Sequence, residues 1–303
     1  MQTILGANGT IAQELSKLLP AYTNKIRQVS RHPKRINESD ELVVADLLNF
    51  EQTEKAVAGS EITYLLAGLK YDIGVWKEQW PKVMKNTIDA CKKHNSKLVF
   101  FDNVYPYGLV KGAMMEETPF NPVSKKGEVR AKIAMLLLDE IKAGNLQGMI
   151  VRAADFYGPN VLLSLTHSMV TEKLKAAKAS QWMGDINRIH SFTYTPDAGK
   201  SVAVLGNTPS AFNQTWHALT SSEKITGEQY IKMACEIMSR PYKVQTLPKW
   251  GVRALGLFVP VLREFVEMMY QYENDYFFDS SKFEKAFNMK AIDYKTGIAS
   301  TLR

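Results

Sequence analysis

The sequence predicts an α/β protein with a doubly wound parallel sheet and a smaller, mixed C-terminal lobe. A glycine-rich turn near the start separates an apolar run from a helical pattern. Short apolar runs then alternate with helical patterns, and this alternation ends after Arg152. Continuous apolar runs are typical of parallel strands buried on both faces, and their alternation with helices favours right-handed crossovers in one sheet.

The turn Gly6–Ala12 is the element around which the predicted fold is organised. We expect Gly6 to turn the backbone sharply and Gly9 to leave the following helix N-terminus open to a diphosphate. Ala12 is small enough for that helix to lie on its strand. Free N–H groups and the positive end of the helix dipole would then face an anion.

The remaining elements follow from the periodicity of apolar residues. The predicted strands are residues 3–5, 25–30, 42–45, 62–66, 97–101, 149–152 and 211–216. The predicted helices are residues 10–19, 50–58, 73–94, 124–142, 226–240, where Thr226–Gln229 forms a capping box, and a last one near 281–284. We therefore expect a dinucleotide-binding domain at residues 1–155, to which 188–205 return, and a substrate lobe at 156–187 and 206–303.

Composition is that of an ordinary globular protein, with 45% hydrophobic and 23% charged residues among 303. The net charge of +7 is spread along the chain without clustered aromatic residues, so we expect no nucleic-acid partner. Cys91 and Cys235 suggest no disulfide framework. The sequence opens directly on a strand, so we expect no cleaved signal peptide and a cytoplasmic location.

Neither a membrane span nor a metal site is predicted. The apolar stretch Gly251–Tyr270 is interrupted by charged residues and a proline, which makes it too short to cross a bilayer, and we expect no membrane partner. The histidines His94, His167 and His217 lack the spacing of metal ligands. The sequence leaves a homodimer open.

Six ordered stretches resemble the extended short-chain dehydrogenase/reductase family, also called the NAD-dependent epimerase/dehydratase family. They are Gly6–Ala12 (nucleotide turn), Ala45–Leu47 (adenine side), Leu66–Gly68 (beneath the nicotinamide ribose), Phe101–Gly108 (like "SSxxVYG"), Arg152–Pro159 (like "RxxNVYGP") and His190–Ala198 (like "RDFxxVxDVA"). The resemblance implies a Rossmann-type sheet and a small-molecule substrate. With the turn itself, it implies a dinucleotide site formed by Gly6, Asn8, Gly9, Thr10, Ile11, Arg31, Asp46, Leu47, Leu66, Ala67, Gly68 and Tyr157.

The end of the second predicted strand indicates which dinucleotide is bound. This strand ends at Arg31, with no acidic residue where a ribose 2′-hydroxyl would be received. An arginine at this place suits a 2′-phosphate. We therefore predict NADP(H), with NAD(H) as the alternative.

The catalytic positions depart from the family pattern. The family's tyrosine and lysine fall on Lys126 and Arg130, and its serine falls on Asn103, so none of the three usual side chains is present. Lys126 is one candidate acid/base, because the like charges of Arg130 and an oxidised nicotinamide would favour its neutral form. Otherwise Lys126 and Arg130 position the ligand or contact its phosphates.

Tyr105 and Tyr107 are the other candidate proton donors. If the strand stays extended past Phe101, both would point into the cleft on the same side as Asn103, which would polarise a carbonyl, although Pro106 opposes that extension. Otherwise the two tyrosines form the wall of the pocket.

His190 occupies the place of the arginine that contacts the diphosphate in nucleotide-sugar members, with Arg188 two residues earlier. This argues against a nucleotide-sugar substrate. The sequence thus predicts an atypical NADP(H)-binding member that acts as an oxidoreductase or epimerase on a small carbonyl or hydroxyl compound. The alternative is a non-catalytic NADP(H)-binding redox sensor.

Overall fold

A seven-stranded parallel sheet forms the centre of the computed structural model, which describes residues 1–303. The strands of the whole chain are β1 (Gln2–Leu5), β2 (Ile26–Ser30), β3 (Glu41–Val44), β4 (Ile62–Leu65), β5 (Lys97–Asn103), β6 (Ala113–Met114), β7 (Gly148–Ala153), β8 (Asp155–Tyr157), β9 (Ser180–Met183), β10 (Phe192–Tyr194), β11 (Thr215–His217), β12 (Val244–Leu247) and β13 (Phe277–Phe278).

Helices cover both faces of this sheet and build most of the C-terminal part. They are α1 (Thr10–Leu18), α2 (Phe50–Val57), α3 (Ile73–His94), α4 (Lys125–Lys142), α5 (Glu172–Lys175), α6 (Thr195–Gly206), α7 (Gly227–Ile237), α8 (Lys249–Gly256), α9 (Pro260–Phe265), α10 (Tyr270–Glu273), α11 (Ser281–Phe287) and α12 (Tyr294–Leu302).

The large sheet has the order β11-β7-β5-β4-β1-β2-β3, and every pair in it is parallel. The strand order therefore reverses between β1 and β4. In sheets of this kind, the crevice outside the carboxyl ends of the strands at the reversal point is the usual ligand site. The predicted fold class is confirmed, and its predicted turn lies at this crevice.

The core has a layer on each face of the large sheet. One layer packs α1, α6 and α11 against the strands, and the other packs α2, α3 and α4. β1 and β4 are fully buried, as expected for strands covered on both faces. A third core, built around Tyr157, Trp182 and Phe192, belongs to the smaller lobe.

Several helix ends agree with the sequence signals. The predicted helix 73–94 is α3, whose N-cap Asp72 accepts a hydrogen bond from Val75 N at 3.0 Å. Thr226 and Gln229 form the predicted capping box. α7, however, ends at Ile237, three residues before the predicted end.

The last strand of the large sheet differs from the prediction. The strand predicted at 211–216 is shorter, Thr215–His217, because Pro209–Ala211 forms a 3-10 turn before it. It pairs with β7 and so extends the large sheet, whereas the sequence analysis placed residues 206–303 in the smaller lobe.

Two further contacts join the C-terminal part of the chain to its N-terminal part. The two-residue strands β6 and β13 pair with each other in parallel. Residues 249–268, which comprise α8, α9 and a following 3-10 turn and which we call the α8–α9 segment, contact the first turns of α3 and α4. These contacts place parts of the smaller lobe beside the candidate site.

Candidate functional site

The fold requires glycine at only one of the two glycine positions of the first turn. Gly6 has a φ of +94°, and a Cβ there would overlap the backbone of Ala67 after β4. A Cβ on Gly9 would lie 3.4 Å from Gly6 O and 3.7 Å from Leu66 O, which packing tolerates. The fold therefore requires glycine at position 6 but not at position 9, where the exposed backbone leaves room for a ligand.

The N-terminus of α1 has free hydrogen-bond donors. Gly9 caps the helix without a side chain, and the first helical bond is Gln13 N to Gly9 O at 2.9 Å. The N–H groups of Thr10, Ile11 and Ala12 make no hydrogen bond within the protein. These donors and the helix dipole together favour an anion at the turn.

The side chain of Asn8 connects this turn to the loop after β2. Its Nδ2 donates to His32 O at 2.6 Å, and its Oδ1 accepts from Lys34 N at 3.0 Å. Asn8 itself has a φ of +79°. Arg31 lies in the tethered loop, where it is exposed and makes no salt bridge, while Arg27 on β2 pairs with Glu41 at 3.1 Å.

Two of the residues predicted to contact the cofactor beyond the turn already accept hydrogen bonds within the protein. Asp46 Oδ1 accepts from Leu48 N at 3.0 Å, and the carbonyl of the buried Leu47 accepts from Asn86 Nδ2 at 2.9 Å. At the end of β4, Leu66 and Ala67 are half-buried and Gly68 is exposed.

Tyr157, predicted to bind the cofactor, lies in the core of the smaller lobe. Its side chain is 1% exposed, and its ring packs against Tyr194, Tyr230 and Tyr294 in the core of the smaller lobe. A Cβ on Gly297 would overlap its hydroxyl. Because this ring is enclosed by protein, it offers no surface to a cofactor.

The backbone at the end of β5 separates the two candidate tyrosines. β5 stops at Asn103, whose Oδ1 accepts from Tyr105 N at 3.0 Å, and Tyr105–Tyr107 forms a 3-10 turn around Pro106. The extended continuation that would align the three side chains is therefore not formed. Proline at the start of such a turn has a suitable φ and needs no N–H partner.

Tyr107 is tied to a buried histidine. It is 1% exposed and donates to His217 Nε2 at 2.9 Å, while His217 Nδ1 donates to Asp279 O at 2.6 Å. Burial lowers the pKa of His217 to about 3. The histidine is neutral at pH 7, and the Tyr107 hydroxyl is committed to it rather than to the cleft.

Tyr105 is half-buried and lies against α3. Its ring stacks on Trp76, with ring centres 6.3 Å apart. Burial raises the pKa of Tyr105, and the carboxylate of Asp155 acts in the same direction, while the Tyr71 hydroxyl and Arg130 oppose it. Its phenol is therefore protonated at neutral pH, and burial makes it a weaker acid than an exposed tyrosine.

Arg130 shares a buried carboxylate with another arginine. Its Nε donates to Asp102 Oδ1 at 2.7 Å, and its guanidinium lies 4.3 Å from the centre of the Trp80 ring. Arg152 approaches the other oxygen of Asp102 at 3.4 Å and is fully buried. One carboxylate thus faces two cations under the candidate site.

Lys126 is held by two carboxylates of the α8–α9 segment. Its side chain is 1% exposed, and its Nζ donates to Glu264 Oε2 at 2.5 Å and to Glu267 Oε1 at 2.9 Å. The same Nζ lies 4.7 Å from the centre of the Tyr71 ring. The neighbours of this ammonium group are therefore mainly negative, and the predicted positive surroundings that would favour its neutral form are not found.

Glu264 and Glu267 belong to the site although no motif in the sequence points to them. Their carboxylates also accept the N–H groups of Ile73 at 3.0 Å and Lys125 at 2.7 Å, which belong to the first turns of α3 and α4. The signal in the sequence is a pair of acidic residues, three apart, in a largely apolar stretch that otherwise carries only basic charges.

The side chain of His190 is held in place by aromatic stacking and by a contact with Asp155. Its ring stacks between Tyr272 and Tyr276, with ring centres 4.7 and 4.5 Å away, and its Nε2 lies 3.0 Å from Asp155 Oδ2. Tyr272 donates to the same oxygen at 2.6 Å. Arg188, by contrast, is exposed and pairs with the nearby Asp185.

Comparison with known proteins gives a family match and close structural similarity. The profile of the family "NAD dependent epimerase/dehydratase family" matches residues 3–215. No curated protein matches the sequence significantly. Among solved structures, UDP-glucose 4-epimerase from Thermus thermophilus in complex with NAD has a TM-score of 0.80 and 14% identity, over 100% of this chain and 98% of that one.

Two further structures are similar over the same extent. UDP-glucuronic acid 4-epimerase from Bacillus cereus in complex with NAD has a TM-score of 0.81 and 17% identity, over 100% of this chain and 97% of that one. A dTDP-glucose 4,6-dehydratase double mutant from Streptomyces venezuelae, with NAD and DAU bound, has a TM-score of 0.82 and 14% identity, over 100% of this chain and 96% of that one.

The buried His217 predicts a specific pH dependence of stability. Its folded pKa of about 3 lies below its ordinary value of 6.5, so the unfolded chain binds a proton that the folded chain does not as pH falls from 6.5 toward 3. This histidine should remove about 2 kcal/mol of unfolding free energy between pH 7 and pH 5. In urea titrations, His217→Gln should lose correspondingly less over this interval. The exposed His32→Gln should behave as wild type; identical pH dependence in all three proteins would contradict the assignment.

The ion pairs around Lys126 predict that substitutions of Lys126, Glu264 and Glu267 have non-additive effects on the free energy of unfolding. Glu264→Gln/Glu267→Gln leaves the buried ammonium without a charged partner and should cost about 3 kcal/mol of unfolding free energy. Adding Lys126→Met to this double variant should restore much of that loss in urea denaturation. Glu273→Gln, which breaks the more exposed pair with Lys249, should cost less than about 1 kcal/mol. A triple variant no more stable than the double one would show that the charges are not coupled.

Proposed function

This chain belongs to the NAD dependent epimerase/dehydratase family, a family of enzymes, and from that premise we propose that it is an NADP(H)-binding oxidoreductase or epimerase. We propose as substrate a small carbonyl or hydroxyl compound. The proposal rests on the turn at the reversal point of the sheet. The packing there would tolerate a side chain at Gly9, yet the residue is glycine, and three N–H groups at the start of α1 have no hydrogen-bond partner.

The residues around this turn suit a dinucleotide. The free donors of α1 would bind the diphosphate, and the open backbone at Gly9 would let it approach. Leu66 to Gly68 follow the adjacent strand and would border the nicotinamide ribose. When bound, the cofactor would supply or accept a hydride, while the protein binds, orients and exchanges the proton.

The choice of NADP(H) rests on Arg31. The similar structures named above contain NAD, so the family fold accommodates the unphosphorylated cofactor. In this chain Arg31 is exposed without a salt bridge, and Asn8 holds its loop against the turn. A free guanidinium at this place favours a 2′-phosphate.

For the proton transfer, the geometry favours Tyr105 over Tyr107. Tyr105 lies at the carboxyl end of β5, and its phenol is free of the strong hydrogen bond that occupies Tyr107. Asn103 would orient a substrate oxygen with its amide N–H₂, because its Oδ1 already accepts from Tyr105 N. Lys126 is the other candidate, with Glu264 and Glu267 as the groups that would receive its proton.

The proposed substrate lacks a nucleotide diphosphate. His190 replaces the family's arginine, and its imidazole is buried between two tyrosines and bonded to Asp155, so it is not available to a diphosphate.

A second candidate function is a non-catalytic NADP(H)-binding sensor. It is favoured by the ion pairs that hold the substituted catalytic positions: Lys126 with two carboxylates, and Arg130 with Asp102. In that case a cofactor would bind without turnover, and its redox state would alter the contact of the α8–α9 segment with α4.

Cofactor preference is tested by fluorescence titration with NADPH and NADH. Losing a charge-assisted contact costs about 1.5 to 3 kcal/mol, so Arg31→Ala should weaken NADPH about ten- to a hundredfold and spare NADH. Arg188→Ala is the matched exposed control. Gly9→Asp should abolish binding of both cofactors, and undiminished binding would refute the turn assignment. Tighter binding of NADH than NADPH by the wild type would refute the preference.

The proton donor is tested with NADPH and a panel of small aldehydes and ketones. Tyr105→Phe should slow turnover about a hundredfold or more, as expected for loss of a general acid. Tyr107→Phe should have little effect on the chemical step. If Lys126→Met is the slow variant instead and its pH–rate profile loses a limb, the lysine is the acid/base. Cofactor binding without turnover of any compound in the panel would favour the sensor.

A further inference from the structure

The outer side of the α8–α9 segment differs from the rest of the surface. Residues 249–263 contain three basic residues and no acidic one. The segment's two acidic residues come just afterwards, and both turn inward to Lys126. The outward charge of this region is therefore positive.

Large apolar side chains project from the same region. Trp250 is 75% exposed, Leu257 is 82% exposed and Phe258 is 84% exposed. They lie on α8 and on the connection between α8 and α9. Exposed apolar side chains grouped in this way mark a surface that binds something apolar.

A second loop adds to this apolar surface. Leu162 and Leu163 are 66% and 102% exposed. Two residues later, Leu165 packs on the small core that Val252 and Leu262 of the α8–α9 segment also form. The two loops therefore lie side by side, and we call them together the apolar rim.

Basic side chains accompany the rim. Arg253 and Arg263 are exposed and make no salt bridge, and Lys249 pairs at 3.1 Å with Glu273. Apolar side chains flanked by unpaired arginines, with a tryptophan among them, are the pattern of a segment that lies in the interface of an anionic bilayer.

We propose that the apolar rim inserts into the surface of a membrane that contains anionic lipid. Leu257 and Phe258 would enter the acyl boundary, Trp250 would lie at the headgroup level, and Arg253 and Arg263 would contact lipid phosphates. A second copy of the chain fits less well, because a two-fold contact through this patch would bring the same arginines together without acidic partners. None of the helices has the length and apolar character needed to span a bilayer. The predicted absence of a membrane partner rests on the lack of a spanning segment, which an interfacial contact does not need.

Trp250 provides a built-in probe for the test. The other four tryptophans, Trp76, Trp80, Trp182 and Trp216, are at most 6% exposed. Vesicles of phosphatidylcholine with phosphatidylglycerol should shift the tryptophan emission to the blue, and the shift should be absent in Trp250→Phe. Cosedimentation should show weaker binding to pure phosphatidylcholine and weaker binding at high salt.

Variants of the rim separate its apolar and basic contributions. Leu257→Ser/Phe258→Ser should reduce partitioning onto anionic vesicles by about tenfold or more, since each removes buried apolar area. Arg253→Glu/Arg263→Glu should weaken binding to anionic vesicles and leave pure phosphatidylcholine unaffected. The matched control is Val44→Ser on β3, where the valine is 71% exposed at the far edge of the sheet.

Three results would overturn the proposal. The first is no emission shift and no cosedimentation with anionic vesicles. The second is equal binding by the Leu257→Ser/Phe258→Ser variant whose thermal unfolding and NADPH titration match wild type. The third is a dimer that this variant dissociates while wild type ignores vesicles, which would assign the rim to a second copy of the chain.

Discussion

The buried ammonium of Lys126 is the interaction on which the relation between the two lobes depends. Aliphatic or aromatic side chains at this position would need no counter-charge, but a buried lysine does, because an unpaired ion loses its hydration without compensation. The nearby arginine cannot serve, and Asp102 is already taken by Arg130 and Arg152. The carboxylates must therefore come from elsewhere in the chain, and Glu264 and Glu267 bring the α8–α9 segment with them.

A second group of buried charges is centred on the carboxylate of Asp102. Asp102 faces two arginines and is fully enclosed, and Arg152 Nε has no hydrogen-bond partner. The hydroxyls of Tyr71, Tyr270 and Tyr276 are also buried without partners. Buried polar groups without partners reduce stability, and they also occur outside the candidate site, for example at Tyr157 and Trp182 in the smaller lobe.

The sequence predicted the parts of the fold that local patterns determine. The helix α3 and the capping box of α7 depend on side chains within a few positions of one another, and the sharp turn at Gly6 depends on the positive φ of that residue. Tyr107 could not be placed in this way, because its fate depends on His217, 110 positions away. Periodicity of apolar residues contains no information about such distant partners.

The candidate site shows the same limit in its charges. The family motif places Lys126 and Arg130 on the first turns of α4, where they lie. The motif contains no information about the side chains that contact them from other parts of the chain. The carboxylates that decide the environment of Lys126 lie 138 and 141 positions later, on a stretch whose acidic residues served in the sequence only as evidence against a membrane span.

The short strand pairs have a consequence for the modularity of this protein. β11 joins the edge of the large sheet between α6, which packs on that sheet, and α7, which belongs to the core of the smaller lobe, and β6 pairs with β13 across more than half of the chain. The chain thus passes between its two lobes several times. No single cut would release an autonomous piece, and neither lobe is an interchangeable cassette: a recombinant fragment ending before β11 would have an unprotected sheet edge, and the remaining fragment would lose the scaffold on which its core was assembled.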